Sequence, residues 1–297
     1  MIHQLDIFGK DLVDNAIESI QSFAQIFDKG EGYFIAFSGG KDSVVIKKLA
    51  DMAGVKYDAH YSLTTVDPPE LVQFIKREYP DVIIEKPTYK KDGKYVKAGQ
   101  QITMWNLIAE KQMPPTRLVR YCCQALKECA GDGRLTMTGV RRAESANRKA
   151  NQGKITIMSK SKKMVKDLED MGVNFTKTDK GGVVLNYDND ESREAVQYCY
   201  RHRRTVLNPI IDWDDSDVWE FIREYNVPYC DLYDKGFKRI GCIGCPMGSR
   251  QKQELEAYPK YKRAYIRAFE KMLKDKDLSE SKYWKDAESC YEWWVSK

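Results

Sequence analysis

The sequence predicts an α/β protein built on a mostly parallel, doubly wound β-sheet, with an α+β insertion and a helical C-terminal extension. Three observations support this fold class. Short apolar runs alternate with helix-like segments over the N-terminal half, which is typical of a parallel sheet covered on both faces. A glycine-rich loop directly follows the first apolar run, Tyr33–Phe37. Near the C-terminus, apolar residues recur at helical spacing.

The elements can be assigned in chain order. An amphipathic helix is predicted over residues 10–27, because apolar side chains recur there every three to four positions. The first strand is Tyr33–Phe37, and a helix begins right after the loop Ser38–Ser43. Further strands are predicted over residues 56–63, 82–84 and 135–138, and further helices over residues 70–79, 104–111, 217–225 and 258–274. Asp214, Asp215 and Ser216 precede one of these helices and are expected to cap it.

Changes in composition suggest three regions. Residues 1–28 form an N-terminal helix, residues 29–247 form the main domain, and residues 248–297 form a helical extension. Residues 148–190 interrupt the main domain with clustered lysines, several glycines and short strand-like pieces around one helix. We interpret them as an insertion that decorates the main sheet.

The composition is that of a folded protein with a mild positive charge. Over 297 residues, 42% are hydrophobic, 31% are charged and the net charge is +5, which suits an anionic ligand. The N-terminus lacks the pattern of a signal peptide, and no segment approaches the roughly 20 apolar residues of a membrane helix. We therefore expect a cytoplasmic protein without a membrane partner. Its eight cysteines are then more typical of metal ligands or a reactive thiol than of disulfides.

The loop Ser38–Ser43 is predicted to hold a phosphate. It lies between a strand and a helix, where glycines let backbone N–H groups approach an anion and the helix dipole favours negative charge. Lys41 adds a positive charge, and Ser38 and Ser43 add hydroxyl donors. The spacing differs from that of the common mononucleotide loop, which has four residues between its first glycine and a Gly-Lys-Ser/Thr ending.

A second anion-binding segment is predicted at residues 139–148, after another strand. It contains three arginines, whose guanidinium groups bind phosphate or sulfate oxygens in a bidentate manner. The alternative is a solvated basic helix start in which Glu144 pairs locally.

These segments together resemble the phosphoadenosine phosphosulfate (PAPS) reductase family of the PP-loop ATP pyrophosphatases, whose fold is adenine nucleotide alpha hydrolase-like. The loop Ser38–Ser43 is similar to the PP-loop, residues 64–70 to the family's substrate-side turn, and residues 139–148 to its Gly-Ile-Arg-Arg-x-Glu-Ser motif. A longer match runs from Asn208 to Cys242. The resemblance implies that an adenine nucleotide is bound by Ser38, Gly39, Gly40, Lys41, Asp42, Ser43, Thr65, Gly139, Arg141, Arg142, Glu144, Ser145 and Arg148.

The cysteines form an adjacent pair, Cys122-Cys123, and a Cys-x-x-Cys, Cys242 to Cys245. Four thiolates from two distant segments can enclose a tetrahedral zinc or a four-iron cluster. The iron–sulfur members of the family have this arrangement, so the resemblance favours a [4Fe–4S] cluster, with Arg120 and Lys127 as its basic neighbours. Zinc and a metal-free group of thiols remain alternatives. The other cysteines, Cys129, Cys199 and Cys230, are expected to be buried structural thiols.

The resemblance ends before the C-terminus. The family's reductases carry a Glu-Cys-Gly-Leu-His tail whose cysteine attacks the sulfate sulfur, and this chain has no such sequence. Cys290, preceded by Glu288, is a candidate nucleophile in the tail. The alternative is a packed thiol beside Trp293 and Trp294.

Three functions follow from these patterns. The first is an enzyme of sulfur reduction or transfer acting on PAPS or adenylyl sulfate, with Lys41, Arg141, Arg142 and Cys290 as catalytic residues and a thioredoxin-like reductant or a sulfur donor as partner. The second is an ATP pyrophosphatase that uses Mg²⁺ and adenylates a nucleic acid for sulfur insertion, as in tRNA thiolation or DNA phosphorothioation. The third is a regulator that binds a nucleotide or cluster without catalysis.

Overall fold

The structure, a computed structural model, describes residues 2–27, 30–128, 131, 133–159, 161–179, 181–274 and 284–296. The chain divides into two compact units, each made of three segments. Unit 1 comprises Met1–Tyr61, Phe74–Ile83 and Gly131–Gly236, and unit 2 comprises Ser62–Gln73, Ile84–Ala130 and Phe237–Lys297. Cys129 and residues 275–283 of the predicted C-terminal extension lie outside the described residues.

The described residues form one eight-stranded sheet, whose strands follow the order β3-β2-β1-β4-β8-β5-β7-β6. In chain order, the strands are β1 (Tyr33–Ala36), β2 (Tyr57–Ser62), β3 (Ile83–Glu85), β4 (Thr136–Met137), β5 (Ile155–Met158), β6 (Phe175–Lys177), β7 (Val183–Leu185) and β8 (Arg204–Leu207).

The sheet has a parallel part and an antiparallel part. Strand β1 pairs in parallel with β2 and β4, and β4 pairs in parallel with β8. Beyond β8, the pairs β8–β5, β5–β7 and β7–β6 are antiparallel. All three outer strands come from residues 148–190, so the predicted insertion extends the main sheet itself. The predicted α/β fold class is confirmed.

The described residues also contain twelve α-helices and one short 3₁₀ helix (Arg142–Glu144). The α-helices are α1 (Leu12–Ala24), α2 (Lys41–Ala53), α3 (Pro69–Glu78), α4 (Met104–Lys111), α5 (Tyr121–Leu126), α6 (Ala146–Asn151), α7 (Lys162–Asp170), α8 (Asp190–Cys199), α9 (Asp215–Glu224), α10 (Gln251–Ala257), α11 (Pro259–Leu273) and α12 (Ala287–Val295).

In unit 1, helix α2 is fixed in place at both ends and on its sides. The apolar strand β1 is almost completely buried and delivers the chain to the loop that precedes α2. Gly39 in that loop has φ +71°, a left-handed conformation that costs glycine little. Helix α2 ends at Gly54, which is also left-handed, and it packs between α1 and α9. The loop therefore lies at the carboxyl end of a central parallel strand, where α/β sheets bind ligands.

Unit 2 is held together by a core of aliphatic and aromatic side chains. Helix α11 packs against α4, α10 and α12. Trp294 of α12 is fully buried and donates its Nε1–H to the carbonyl of Pro115 at 2.6 Å. Its ring lies 4.6 Å from that of Tyr265, whose hydroxyl in turn donates to the carbonyl of Ile243 at 3.1 Å. This core supports the loop that carries Cys242 and Cys245.

Candidate functional site

The loop Ser38–Ser43 in unit 1 is ordered by its own polar groups. The Ser38 hydroxyl accepts from the backbone N–H of Gly40 at 3.3 Å and donates to the Ser43 hydroxyl at 3.2 Å. Ser43 donates to the Gly40 carbonyl at 2.8 Å. Tyr233, which the sequence did not single out, accepts from the backbone N–H of Lys41 at 2.9 Å. The loop is thus preorganised, and two of its backbone amides, those of Gly40 and Lys41, already donate to hydroxyl oxygens.

Two buried cations meet at this loop. The Lys41 side chain is 7% exposed and that of Arg141 is 2% exposed. Asp42 accepts from Arg141 Nε at 2.7 Å and from Lys41 Nζ at 3.3 Å. A single oxygen of Asp215, Oδ1, lies 3.0 Å from Lys41 Nζ and 2.8 Å from Arg141 Nη2. The structure therefore brings the predicted residues Lys41, Asp42 and Arg141 together, and adds Asp215.

Asp215 is not the helix cap that the sequence suggested. Asp214 is the N-cap of α9 and accepts from the backbone N–H groups of Ser216 and Asp217. Partial burial acts to raise the pKa of the Asp215 carboxyl, but the hydrogen bonds from Lys41 and Arg141 outweigh it and keep that pKa below its usual range. Local sequence did not separate the two aspartates, because both precede the helix that the sequence predicts over residues 217–225.

Gly139 allows residues 139–148, called the arginine segment below, to lie close to the loop Ser38–Ser43. A Cβ atom at this glycine would lie 2.8 Å from the Cβ of Asp42 and 2.9 Å from its backbone carbonyl group. Any larger residue would push the two segments apart. The predicted role of Gly139 in the site is consistent with this close packing.

The other residues of the arginine segment pair with nearby acids. Arg142 binds Asp212, and Arg148 binds Glu144. Glu144 also accepts from the backbone N–H of Arg141 at 3.1 Å. Ser145 caps α6 by accepting from the backbone N–H of Arg148 at 3.2 Å. The local pairing of Glu144 that the sequence offered as an alternative is therefore present, while Arg141 faces the loop.

Thr65 belongs to a turn in unit 2. Its φ of +67° is unusual for a β-branched residue, and its hydroxyl accepts from the backbone N–H of Met104 at 3.0 Å. Asp67 accepts from the backbone N–H of Thr64 at 2.7 Å and closes the turn. Such strain of about 1–3 kcal/mol persists where surrounding contacts impose it, often at functional sites.

The predicted cysteine ligands gather in unit 2. The Cys122 thiol interacts electrostatically with those of Cys123, Cys242 and Cys245, and all four side chains are partly buried. A hydrogen bond within the adjacent pair raises the pKa of Cys122 and lowers that of Cys123. The Cys242 sulfur lies 3.5 Å from the Thr64 hydroxyl. The cysteine group therefore adjoins the turn that contains Thr65.

The two predicted basic neighbours flank the cysteine pair on helix α5. Arg120 is the N-cap residue, and its Nη2 lies 3.5 Å from the Cys123 sulfur. Lys127 is the C-cap residue. Coulombic interactions with Cys242 and with Asp67 raise the pKa of Lys127 above its usual value. Both cations stabilise thiolates in this group.

The donor set suits an iron–sulfur cluster, since four cysteine thiolates are the usual ligands of a [4Fe–4S] group. The thiols share one neighbourhood without forming a coordination geometry. Within the described residues, no three His, Cys, Asp or Glu side chains are placed to hold a metal ion. The chemistry of the residues therefore fits the cluster, and the cluster itself stays a prediction.

Cys290 lies on α12 and is fully buried in the core of unit 2. A nucleophilic role would require this thiol to reach a substrate. Its burial agrees with the alternative interpretation of the sequence, a packed thiol. Cys199 and Cys230 are buried, as expected for structural thiols.

Within the part of the chain that the structure describes, none of the helices combines the length and the apolar character that crossing a membrane requires.

The chain is similar to proteins that are named as reductases of sulfated adenine nucleotides. Residues 32–248 match the family model of the phosphoadenosine phosphosulfate reductase domain. An adenosine 5'-phosphosulfate reductase of Oceanobacillus iheyensis is 24% identical over 253 residues, which cover 81% of each chain. An uncharacterized protein of Methanocaldococcus jannaschii is 26% identical over 268 residues, or 86% of this chain and 53% of the relative. This chain thus spans about half the length of the second relative.

Solved structures that are similar to this chain include a reductase. It is the phosphoadenylyl-sulfate reductase of Candida auris in a phosphate complex, with 17% sequence identity and a TM-score of 0.40. The match covers 80% of this chain and 96% of that chain.

Proposed function

This chain belongs to the phosphoadenosine phosphosulfate reductase family, and from that premise we propose that it binds an adenine nucleotide at Ser38–Ser43 and acts in sulfur reduction or transfer. One observation carries the proposal. The buried cations Lys41 and Arg141 converge on one carboxylate oxygen of Asp215, at 3.0 and 2.8 Å. An anionic oxygen of a phosphate or phosphosulfate can take the same position between them.

The residues of the loop would each have a defined task. Ser38, Ser43 and the glycine amides would bind nonbridging oxygens, and Lys41 and Arg141 would stabilise charge as it develops on the leaving phosphate. In the reductase reaction a thiolate attacks the sulfur of the phosphosulfate and the bond from sulfur to the phosphate oxygen breaks. The attacking sulfur is then bonded to the sulfonate group. One thiol of a thioredoxin-like dithiol would attack that sulfur and release sulfite, and its second thiol would form the dithiol's own disulfide and return the enzyme thiol. PAPS or adenylyl sulfate would be the substrate.

We further assign Cys122, Cys123, Cys242 and Cys245 as the ligands of a [4Fe–4S] cluster. When bound, the cluster would supply an iron–sulfur centre whose potential depends on its hydrogen bonds and burial. Arg120 and Lys127 would offset the negative charge of its thiolate ligands. Thr64, whose hydroxyl lies 3.5 Å from the Cys242 sulfur, would adjoin one of these ligands.

Iron content tests this assignment separately from activity. After anaerobic purification, we expect about four irons per chain, as a [4Fe–4S] cluster with four thiolate ligands requires. Cys242→Ala should lose most of the iron, because it removes one ligand. Cys199→Ala is the matched control, since Cys199 lies on α8 in unit 1, and it should keep the iron. Zinc in place of iron, or no metal at all, would refute the cluster.

A second function is favoured by the burial of Cys290. An ATP pyrophosphatase needs no thiol from the C-terminal tail, because an acceptor oxygen attacks the α-phosphorus and pyrophosphate leaves. In this alternative, Mg²⁺ would screen the β- and γ-phosphates. The lysine-rich insertion and residues 202–204 would contact a nucleic-acid acceptor.

The products distinguish the two functions. Anaerobically purified protein is incubated with PAPS, adenylyl sulfate or ATP, with a dithiol reductant in each case. Sulfite from a phosphosulfate, without pyrophosphate from ATP, supports the reductase. Pyrophosphate that depends on an added tRNA or DNA acceptor, without sulfite, supports the alternative. Nucleotide binding with neither product would identify a regulator instead of an enzyme.

A further inference from the structure

The carboxylate of Asp215 occupies the place where a ligand's anionic oxygen would bind. Its Oδ1 accepts from Lys41 Nζ at 3.0 Å and from Arg141 Nη2 at 2.8 Å. With Asp42, the group contains two cations and two carboxylates, and its formal charge is zero. An anion gains little from such a neutral group unless one carboxylate leaves.

The two carboxylates differ in how firmly they are held. The Asp42 side chain is 24% exposed, and Asp42 lies in the first turn of helix α2, where Gly139 packs directly against it. The Asp215 side chain is 68% exposed and lies in the first turn of helix α9. Rotation of its side chain into solvent needs no change in the backbone. Asp215 is therefore the carboxylate that can leave.

We propose that Asp215 is a displaceable counter-ion that sets the affinity and charge selectivity of the loop. This inference rests on the proposed nucleotide site and adds a residue that competes with the ligand. While Asp215 is in place, its carboxylate pairs with the buried side chains of Lys41 and Arg141. When a ligand binds, Asp215 turns to water and the remaining group carries a net positive charge.

Selectivity follows from this competition. A ligand must bind Lys41 and Arg141 better than a carboxylate that is already attached to the protein. Multiply charged groups such as pyrophosphate meet this condition because they offer more charge and more acceptor oxygens. Singly charged anions meet it poorly. If the pairing of Asp215 with Lys41 and Arg141 were purely structural, removing its charge would leave anion affinity unchanged.

The test uses inorganic pyrophosphate, which reports on the loop without requiring adenosine recognition. Binding to the full chain is measured by calorimetry at fixed ionic strength. Asp215→Asn keeps an oxygen that can accept from both cations but removes the charge. We expect it to bind pyrophosphate about tenfold more tightly than the unmodified protein. Asp215→Glu keeps the negative charge, and its affinity for pyrophosphate should be within about twofold of that of the unmodified protein.

Asp231→Asn is the matched control. Asp231 also lies in unit 1, has an exposed side chain and pairs with Lys235 at 3.0 Å, so the substitution changes the net charge equally. It should leave pyrophosphate affinity within about twofold. Circular dichroism establishes that each variant is folded. If Asp215→Asn does not fold, Asp215→Ser replaces it with the same expected gain.

Each outcome bears on one claim. Equal or weaker pyrophosphate binding by Asp215→Asn, or no binding by any of the proteins, overturns the inference. Binding of PAPS or ATP to the unmodified protein would then leave the proposed function intact. A gain for pyrophosphate without any binding of adenine nucleotides supports the counter-ion and refutes the proposed function.

Discussion

Lys41 and Arg141 show how single residues can keep charge inside the protein. Buried cations are costly unless they are paired, and here both are paired with the same two carboxylates. Arg141 adds a longer bond from Nη1 to the carbonyl of Trp213, at 3.4 Å. The arrangement holds both side chains at the loop before a ligand arrives, so binding costs little conformational entropy.

At the residue scale, Gly139→Ala tests the close approach of the arginine segment. The new Cβ would lie 2.8 Å from the Cβ of Asp42, and neither backbone can move without disturbing the loop. We expect the free energy of unfolding to fall by about 1–3 kcal/mol. Urea denaturation followed by circular dichroism measures this change.

Gly241→Ala is the control, because a Cβ at Gly241 would meet no atom within 4 Å. Its midpoint in urea should match that of the unmodified protein. Equal midpoints for both variants would show that Gly139 is not needed for the packing.

Helices α5 and α12 place their cysteine side chains in environments of different burial. Helix α5 presents Cys122 and Cys123 in its first turn, with Arg120 and Lys127 at its ends. Helix α12 turns Cys290 into the core of unit 2. The cysteine side chains are therefore partly exposed on α5 and fully buried on α12.

At the element scale, we expect Cys290 to resist alkylation in the native protein. Iodoacetamide labelling followed by peptide mass spectrometry should leave Cys290 unmodified while α12 is folded, because the side chain has no exposed surface. Labelling in urea is the control and should modify it fully. Rapid labelling of native Cys290 would instead show that α12 opens and would restore this thiol as a candidate nucleophile.

For the whole molecule, the sequence predicts what is local and misses what is distant. Strand β1, the loop and helix α2 are consecutive in the sequence. Their order and the phosphate-binding character of the loop could therefore be predicted from neighbouring residues. The pairing of Asp215 with Lys41 and Arg141 joins segments far apart in the chain, and no spacing reveals it. The insertion was expected to decorate the sheet, and only the pairing of β5 with β8 shows that it extends the sheet.

The cysteine group illustrates the same limit. Residue spacing and family resemblance identified the four thiols, and the structure places them in one unit. Spacing could not predict that Thr64 would adjoin Cys242 or that Cys290 would be buried, since both depend on long-range packing.

The central claim is that the loop Ser38–Ser43 binds an adenine nucleotide through its buried cations. Calorimetric titration of PAPS and ATP into three proteins tests it most directly: the unmodified chain, Lys41→Met, and the control Lys48→Met on the same helix α2. We predict that at least one nucleotide binds the unmodified chain, that Lys41→Met weakens this binding about tenfold or more, and that Lys48→Met leaves it unchanged. Equal affinity of all three proteins, or no binding by the unmodified chain, would contradict the account.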